Sequence, residues 1–482
     1  MKRSSGVLMH ISSLDGEYSI GSFGDNAKRF IDRINEAGFS YWQVLPFGLI
    51  DECYSPYKSY SAFAGNPYFI DLPTLFDQGL ITAEELYNAK QKTPYLCEFD
   101  RLNSERLELL FNTSKRVNEE KKAEIEEYIY GNKYLFNFCT FMSLKQANGG
   151  LPWTQWQIDY YDKDVFFAWQ FIQYEFFRQW SAIKDYANKK GIKIIGDIPI
   201  YVSLDSSDVW SNPELFCLDN ENNPTEVAGV PPDYFCEDGQ KWGNPLYNWD
   251  NLKKENYSLW IDRLGYSLKM YDAVRIDHFR AFSAYWSIPA DEKATEGRWE
   301  KGPGIEFFNT LKEIYPHANI IAEDLGDIDD DVRNLLKETG FPGMGVMQFA
   351  FITDADTPHL PHNYTKNTIG YTGTHDNNTL LGWLWESDEK SCSYALDYCN
   401  FHGDWGQGGP HSKAISSIIR TLWSSGALIA IVPIQDLCGF GGDTCMNHPG
   451  VAEGNWCFRI TEDALGSIDR EFFRNINALY KR

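Results

Sequence analysis

Eight short apolar runs recur along the chain, at Val7 to Ile11, Tyr41 to Leu45, Ile192 to Val202, Ala273 to Asp277, Ile320 to Glu323, Gly345 to Phe349, Gly370 to His375 and Leu428 to Pro433. Most intervals between them carry helical patterning. In Asp25 to Ala37, for example, Phe30, Ile31, Ile34 and Ala37 form one stripe and Gly38 stands at the stop position. Strand and helix alternating in this way eight times point to an α/β fold, a parallel (β/α)8 TIM barrel.

The intervals are uneven, and the long ones are informative. Leu45 to Ile192 far exceeds one crossover, so residues 73–163 read as a mainly helical insertion after the second strand. Within it, Ser104 to Tyr130 sets Leu107, Leu110, Phe111 and Ile125 among Glu and Lys, the pattern of a solvated helix pair. Asp164 to Asn188 instead spaces Phe167, Phe171, Tyr174, Phe177 and Ile183 as a core-facing stripe. A second insertion, 204–264 after the third strand, is rich in turn formers such as Ser211-Asn212-Pro213 and Gly243-Asn244-Pro245. Barrel chemistry sits at the carboxyl ends of the strands, so this insertion is expected to wall the active-site face. Residues 1–482 read as a single catalytic barrel carrying both insertions.

Three of the runs end abruptly in charge. Ala273, Val274 and Ile276 suit a covered parallel strand, whereas Arg275, Asp277 and His278 are costly to bury without partners. The device returns in Asn319-Ile320-Ile321-Ala322-Glu323-Asp324 and in Ile369-Gly370-Tyr371-Thr372-Gly373-Thr374-His375-Asp376. Asp277, Glu323 and Asp376 are thereby brought to strand ends. Glycosidic bond chemistry commonly uses two carboxyl groups flanking the anomeric carbon, one as nucleophile or base and one as acid; this chain offers two and a spare. The alternative for any one of them is a structural carboxylate, such as Asp277 held by Arg275.

Composition narrows the ligand. A formal net charge of −24 argues against nucleic acid, whose phosphates are bound by clustered Lys and Arg. No apolar run reaches the about 18 residues of a membrane span, and Met1 to Gly6 pass straight into a strand without an apolar leader. The 10 cysteines lack the spacing of a zinc site or a disulfide framework. The reading is a soluble cytoplasmic protein without a cofactor. The chain holds 16 Trp, and aromatic planes stack on the apolar faces of sugar rings. Cys438-Gly439-Phe440-Gly441-Gly442-Asp443 lacks the Gly-Lys-Ser/Thr ending of a phosphate loop. Asp327 to Asp331 lacks the glycine of a calcium loop and reads as the acidic start of a helix over Val332 to Glu338.

A set of longer motifs spans nearly the whole chain. They include Ser55-Pro56-Tyr57, Ser61-Ala62-Phe63-Ala64-Gly65-Asn66-Pro67, Gly196-Asp197-Ile198-Pro199-Ile200-Tyr201-Val202, Val230-Pro231-Pro232-Asp233-Tyr234-Phe235 and Gly239-Gln240-Lys241-Trp242-Gly243-Asn244-Pro245. Arg275-Ile276-Asp277-His278-Phe279-Arg280, Ala322-Glu323-Asp324-Leu325-Gly326, Thr374-His375-Asp376-Asn377-Asn378 and Pro433-Ile434-Gln435-Asp436-Leu437 complete it. With these motifs the chain resembles the amylomaltases, the 4-alpha-glucanotransferases of glycoside hydrolase family 77.

The resemblance implies that Asp277 is the nucleophile, Glu323 the acid/base and Asp376 the third carboxylate that holds a distorted sugar, in a retaining double displacement. It also implies that Ser55, Tyr57, Asp233, Gln240, Trp242 and Asn447 line the subsites, while Arg275, His278 and His375 orient the nucleophile and the sugar hydroxyls. The implied substrates are maltooligosaccharides and other α-1,4-glucans, with glucose as an acceptor. An α-1,4-glucan hydrolase using the same acids is the alternative. Asp277 and Asp376 are expected to raise the pKa of Glu323. The chain departs from the family pattern at Asp15 (usually proline), Ala281 (usually glycine) and Cys445 (often arginine), positions that bear on loop shape and acceptor preference.

Overall fold

The computed structural model describes residues 1–50, 53–232, 237–352, 355–451 and 453–482. Among them run twelve strands: β1 (Ser4–Leu8), β2 (Tyr41–Gln43), β3 (Lys193–Ile198), β4 (Glu226–Val230), β5 (Gln240–Pro245), β6 (Ala273–Ile276), β7 (Ala284–Pro289), β8 (Arg298–Lys301), β9 (Ile320–Ala322), β10 (Gly343–Val346), β11 (Thr368–Tyr371) and β12 (Ile429–Pro433). Eight form one sheet in the order β10-β11-β12-β1-β2-β3-β6-β9. Every ladder in it is parallel. The amide of Ala322 donates to the carbonyl of Pro342 at 2.9 Å, joining the two ends of the sheet into the expected (β/α)8 barrel.

Parallel barrel strands are covered on both faces, which is why they read as unbroken apolar runs. Ile429–Pro433 is buried at every residue. The sixth run differs from expectation: β10 begins at Gly343, and Met347–Ala350 turns helical. A Cβ at Gly343 would meet the Asp324 carboxylate, and one at Gly345 the Tyr364 ring, each at 2.4 Å. Close approach selected these residues, so the strand carries little apolar signature.

The connecting helices follow their stripes. Asp25–Glu36 buries Phe30, Ile31 and Ile34, and Gly38 reverses the chain at a φ of 83°. Between β2 and β3 lie Leu107–Ser114, Glu119–Tyr130 and Lys133–Ala147, followed by Lys163–Lys189, which buries Phe171, Tyr174, Phe177 and Ile183.

A second sheet, antiparallel with order β5-β4-β7-β8, stands beside the barrel. It has a small core of its own in Val227, Ile288 and Ala294. β4 and β5 come from the segment after β3, but β7 and β8 follow β6. Sequence patterning missed this second contribution because β8 is Arg-Trp-Glu-Lys, with no buried residue to set a period of two.

Register positions the site. Asp197 on β3 lies opposite Arg275 on β6, and Ile276 lies opposite Ala322 on β9. One residue further along, Asp277 and Glu323 leave neighbouring strands side by side, about 4.8 Å apart at the backbone.

Candidate active site

Side chains two apart on a strand share a face, so Arg275 reaches both Asp197 beside it and Asp277 beyond it. The buried guanidinium donates through Nη1 to Asp197 Oδ2 at 2.7 Å and through Nη2 to Asp277 Oδ1 at 2.8 Å. Burial opposes the charge on Arg275, and the two carboxylates overcome that and raise its pKa well above the ordinary guanidinium value. Burial likewise pushes the Asp197 carboxyl up while Arg275 pulls it back. With Tyr57 also donating its hydroxyl to Asp197 Oδ2 at 2.8 Å, the charged pair is the favoured state. Asp277 is thus oriented by Arg275 through Oδ1 alone. Its side chain is 28% exposed, and Oδ2 has no hydrogen-bond partner among the described residues.

Glu323 is gripped from two directions. Its Oε1 accepts from the amide of Leu325 at 2.7 Å and its Oε2 from the amide of His278 at 2.6 Å. His278 presents that amide from a left-handed conformation, φ 51°, which residues other than glycine rarely adopt and which must be held by their surroundings. Burial pushes the Glu323 carboxyl up to about 7; Arg275 and the two amides pull against it, and Asp277 adds to it. Desolvation, more than the expected repulsion between like charges, therefore does the tuning. A carboxyl near 7 can give a proton in one step and take one in the next at neutral pH.

Asp376, on the loop after β11, is the most open of the three. Its Oδ1 accepts from Asn447 Nδ2 at 2.6 Å, and its Oδ2 lies 3.1 Å from His375 Nε2. Desolvation acts to raise its pKa, but His375 and Asn447 hold it down to about 2. The His375 ring is stacked on Tyr57, centroids 5.1 Å apart at 16°, with Trp456 at 5.8 Å. Trp456 was not foreseen from the sequence, where it sits in a stretch without periodicity.

The small sheet brings Trp242 against the turn after β6. Trp242 on β5, 36% exposed, meets the His278 ring edge-on at 5.1 Å and donates its Nε1 to Gln240 Oε1 at 3.1 Å. Burial lowers His278 to about 3, so its ring is neutral and offers one donor and one acceptor. Ser55 Oγ accepts from the Tyr57 amide at 3.3 Å and so fixes the turn that carries Tyr57. Asp233 lies outside the described residues. Of the departures, Asp15 pairs with Arg29 at 2.6 Å, and Ala281 is buried in the turn after β6. Cys445 sets its Sγ 3.3 Å from the carbonyls of Asn377 and Asn447, tying the loops that bear Asp376 and its partner.

Three carboxylates grouped about Arg275, two of them just beyond the ends of adjacent strands, form a constellation suited to glycosyl chemistry. The glycoside hydrolase 77 profile, described as 4-alpha-glucanotransferase, matches residues 9–464. The chain belongs to the 4-alpha-glucanotransferase family. A 4-alpha-glucanotransferase of Clostridium butyricum is 43% identical over 480 residues, 95% of this chain and 96% of the relative. Another, of Thermus thermophilus, is 41% identical over 489 residues, 96% of each chain. The solved amylomaltase of Streptococcus agalactiae in complex with acarbose matches with a TM-score of 0.94 and 38% identity, covering all of both chains. Among the described residues of this 4-alpha-glucanotransferase family member, no helix is long and apolar enough to cross a membrane. Nor does any group of three or more His, Cys, Asp or Glu among them stand ready to hold a metal ion.

Proposed function

We propose that the protein transfers a segment of an α-1,4-glucan to the 4-hydroxyl of glucose or a maltooligosaccharide, with Asp277 as nucleophile and Glu323 as acid/base. In the first half, Oδ2 of Asp277 bonds to the anomeric carbon as the bond from that carbon to the glycosidic oxygen breaks, and the proton of Glu323 passes to the departing oxygen. In the second, ionised Glu323 takes the proton of the acceptor 4-hydroxyl, whose oxygen displaces Asp277 from the same carbon. Two displacements retain the α configuration, and the pairing of residues from adjacent strands suits the about 5–5.5 Å separation that this route needs. Asp376, held ionised by His375 and Asn447, accepts hydrogen bonds from hydroxyls of the distorted sugar.

Tyr57 and Trp242 offer stacking faces for sugar rings, and the described residues of 204–264 wall the acceptor side, where a bound sugar displaces water. The thiols of Cys97, Cys139, Cys217, Cys392, Cys399, Cys438, Cys445 and Cys457 are free, which fits a reducing cytoplasm.

The observation that carries this reading is the contrast between neighbours: Asp277 with one oxygen unpartnered among the described residues and Glu323 raised to about 7. Incubation with maltotriose tests it. Glucose should appear together with α-linked oligosaccharides longer than maltotriose; glucose and maltose without longer products would establish a hydrolase instead. Because only protonated Glu323 can act in the first half, kcat/KM for the donor should fall as pH rises through about 7. Replacing Asn447 with alanine strips Asp376 of one hydrogen bond to a charged group. Such a bond contributes about 1.5–3 kcal/mol, so kcat/KM for maltotriose should drop at least about tenfold with Tm unchanged.

A further inference from the structure

Arg280 lies three residues beyond Asp277, and its side chain is only 5% exposed. Its guanidinium sits 3.8 Å from the centroid of the Trp299 ring on β8. Nη1 donates to the carbonyl of Asp327, and Nη2 donates to Asp329 Oδ2 at 3.4 Å. Asp329 also caps the helix Asp330–Thr339, its Oδ1 accepting from the Val332 amide at 2.9 Å. One side chain thus joins the turn after β6, the loop after β9 and the outer strand of the small sheet. The acids at 327 to 331, read from sequence as a helix start, have this second task.

Those two loops are the ones that hold Glu323. The His278 amide belongs to the turn that carries Arg280, and the Leu325 amide belongs to the loop that Arg280 grips. The Phe279 amide further donates to the Glu323 carbonyl at 3.0 Å. Both oxygens of the acid therefore depend on the two loops keeping their mutual position. Stability is a poor account of this arrangement, because Asp327 and Asp329 are 79% and 51% exposed and ion pairs to such groups contribute little. A planar guanidinium can stack on a ring and donate within its plane at once, which an ammonium cannot.

We propose that Arg280 is a positioning residue for proton transfer: it clamps the loops after β6 and β9 against Trp299, so that the His278 and Leu325 amides keep Glu323 aimed at the glycosidic oxygen. This rests on Glu323 being the proton donor, as argued above.

Single-turnover cleavage of two donors by Arg280→Ala tests the clamp. The sugar that departs from maltotriose leaves only with protonation of the glycosidic oxygen, whereas α-maltosyl fluoride expels fluoride with little acid assistance. Misplacing a general acid by about 1 Å costs on the order of 10²-fold, so the maltotriose rate should fall about 10²-fold with half-saturation within about threefold, and the fluoride rate by less than about fivefold. Arg280→Lys should fall between the wild type and Arg280→Ala. Trp299→Leu, on a solvent-facing strand, should show the same donor dependence at about three- to thirtyfold, and serves if Arg280→Ala does not fold. Equal losses on the two donors, or an effect on half-saturation alone, overturn the clamp. Glu323→Gln run alongside separates the two readings. If it still cleaves maltotriose, the acid assignment falls. If it shows the donor dependence and the Arg280 and Trp299 variants do not, only the clamp falls.

Discussion

Asp277→Asn is expected to abolish transfer and leave the fold as it is. The amide has nearly the shape of the carboxylate and can still accept from Arg275 Nη2, now 2.8 Å from Oδ1. What it lacks is the negative oxygen that bonds to the anomeric carbon. Removing a covalent nucleophile from a site built around it costs on the order of 10⁵-fold or more in kcat. Arg275 keeps Asp197 as its buried partner at 2.7 Å, so no charge is stranded and Tm should stay within a few degrees. Maltotriose disproportionation and thermal unfolding, measured on the same preparation, decide the matter. Activity within tenfold of wild type would mean that Asp277 is a structural carboxylate after all, the alternative that its pairing with Arg275 keeps in view.

The barrel could be read from the sequence because its strands are covered on both faces and its crossovers are helical, two features that leave strong local patterns. The reading failed where packing used something other than apolar side chains. Gly343 and Gly345 gave no hydrophobic signal because the Asp324 carboxylate and the Tyr364 ring occupy the space beside them. β8 gave none because no residue in it is buried.

The acids at the strand ends stood out as charges inside apolar runs. Asp197 carries the same signature, a carboxylate set in an apolar run, in Ile194-Ile195-Gly196-Asp197-Ile198. Other parts of the site leave no trace in residue types. The grip on Glu323 consists of two backbone amides, one presented by a left-handed His278, and neither follows from which side chains are present. The cause of the Glu323 shift was hidden for a related reason. Charges can be counted along a sequence, but the burial that outweighs them comes from segments far apart in the chain.

Asp197 touches no reacting atom in the proposed mechanism, yet Asp197→Leu should cost much of the activity, though less than loss of the nucleophile, and should be far more damaging to stability. The substitution leaves the Arg275 charge buried with one of its two carboxylates gone, and breaking a buried pair from one side costs about 3–5 kcal/mol. Released from β3, the guanidinium fork can turn wholly onto Asp277 and engage both of its oxygens, covering the Oδ2 that must attack. Tyr57 loses the acceptor of its hydroxyl, now at 2.8 Å, and with it the support for the ring stacked on His375. A quenched nucleophile and a displaced wall together should lower kcat on the order of 10³-fold. Asp197→Asn, which keeps an oxygen for Tyr57 but not the charge, should lie between Asp197→Leu and wild type on both scales. The double variant Asp197→Leu/Arg275→Met separates the two effects. With both charges removed, Tm should recover much of the loss, while activity should not, because Asp277 then has nothing to orient it. A single variant as stable as wild type, or a double variant no more stable than the single, would show that the pair between β3 and β6 does not govern the site.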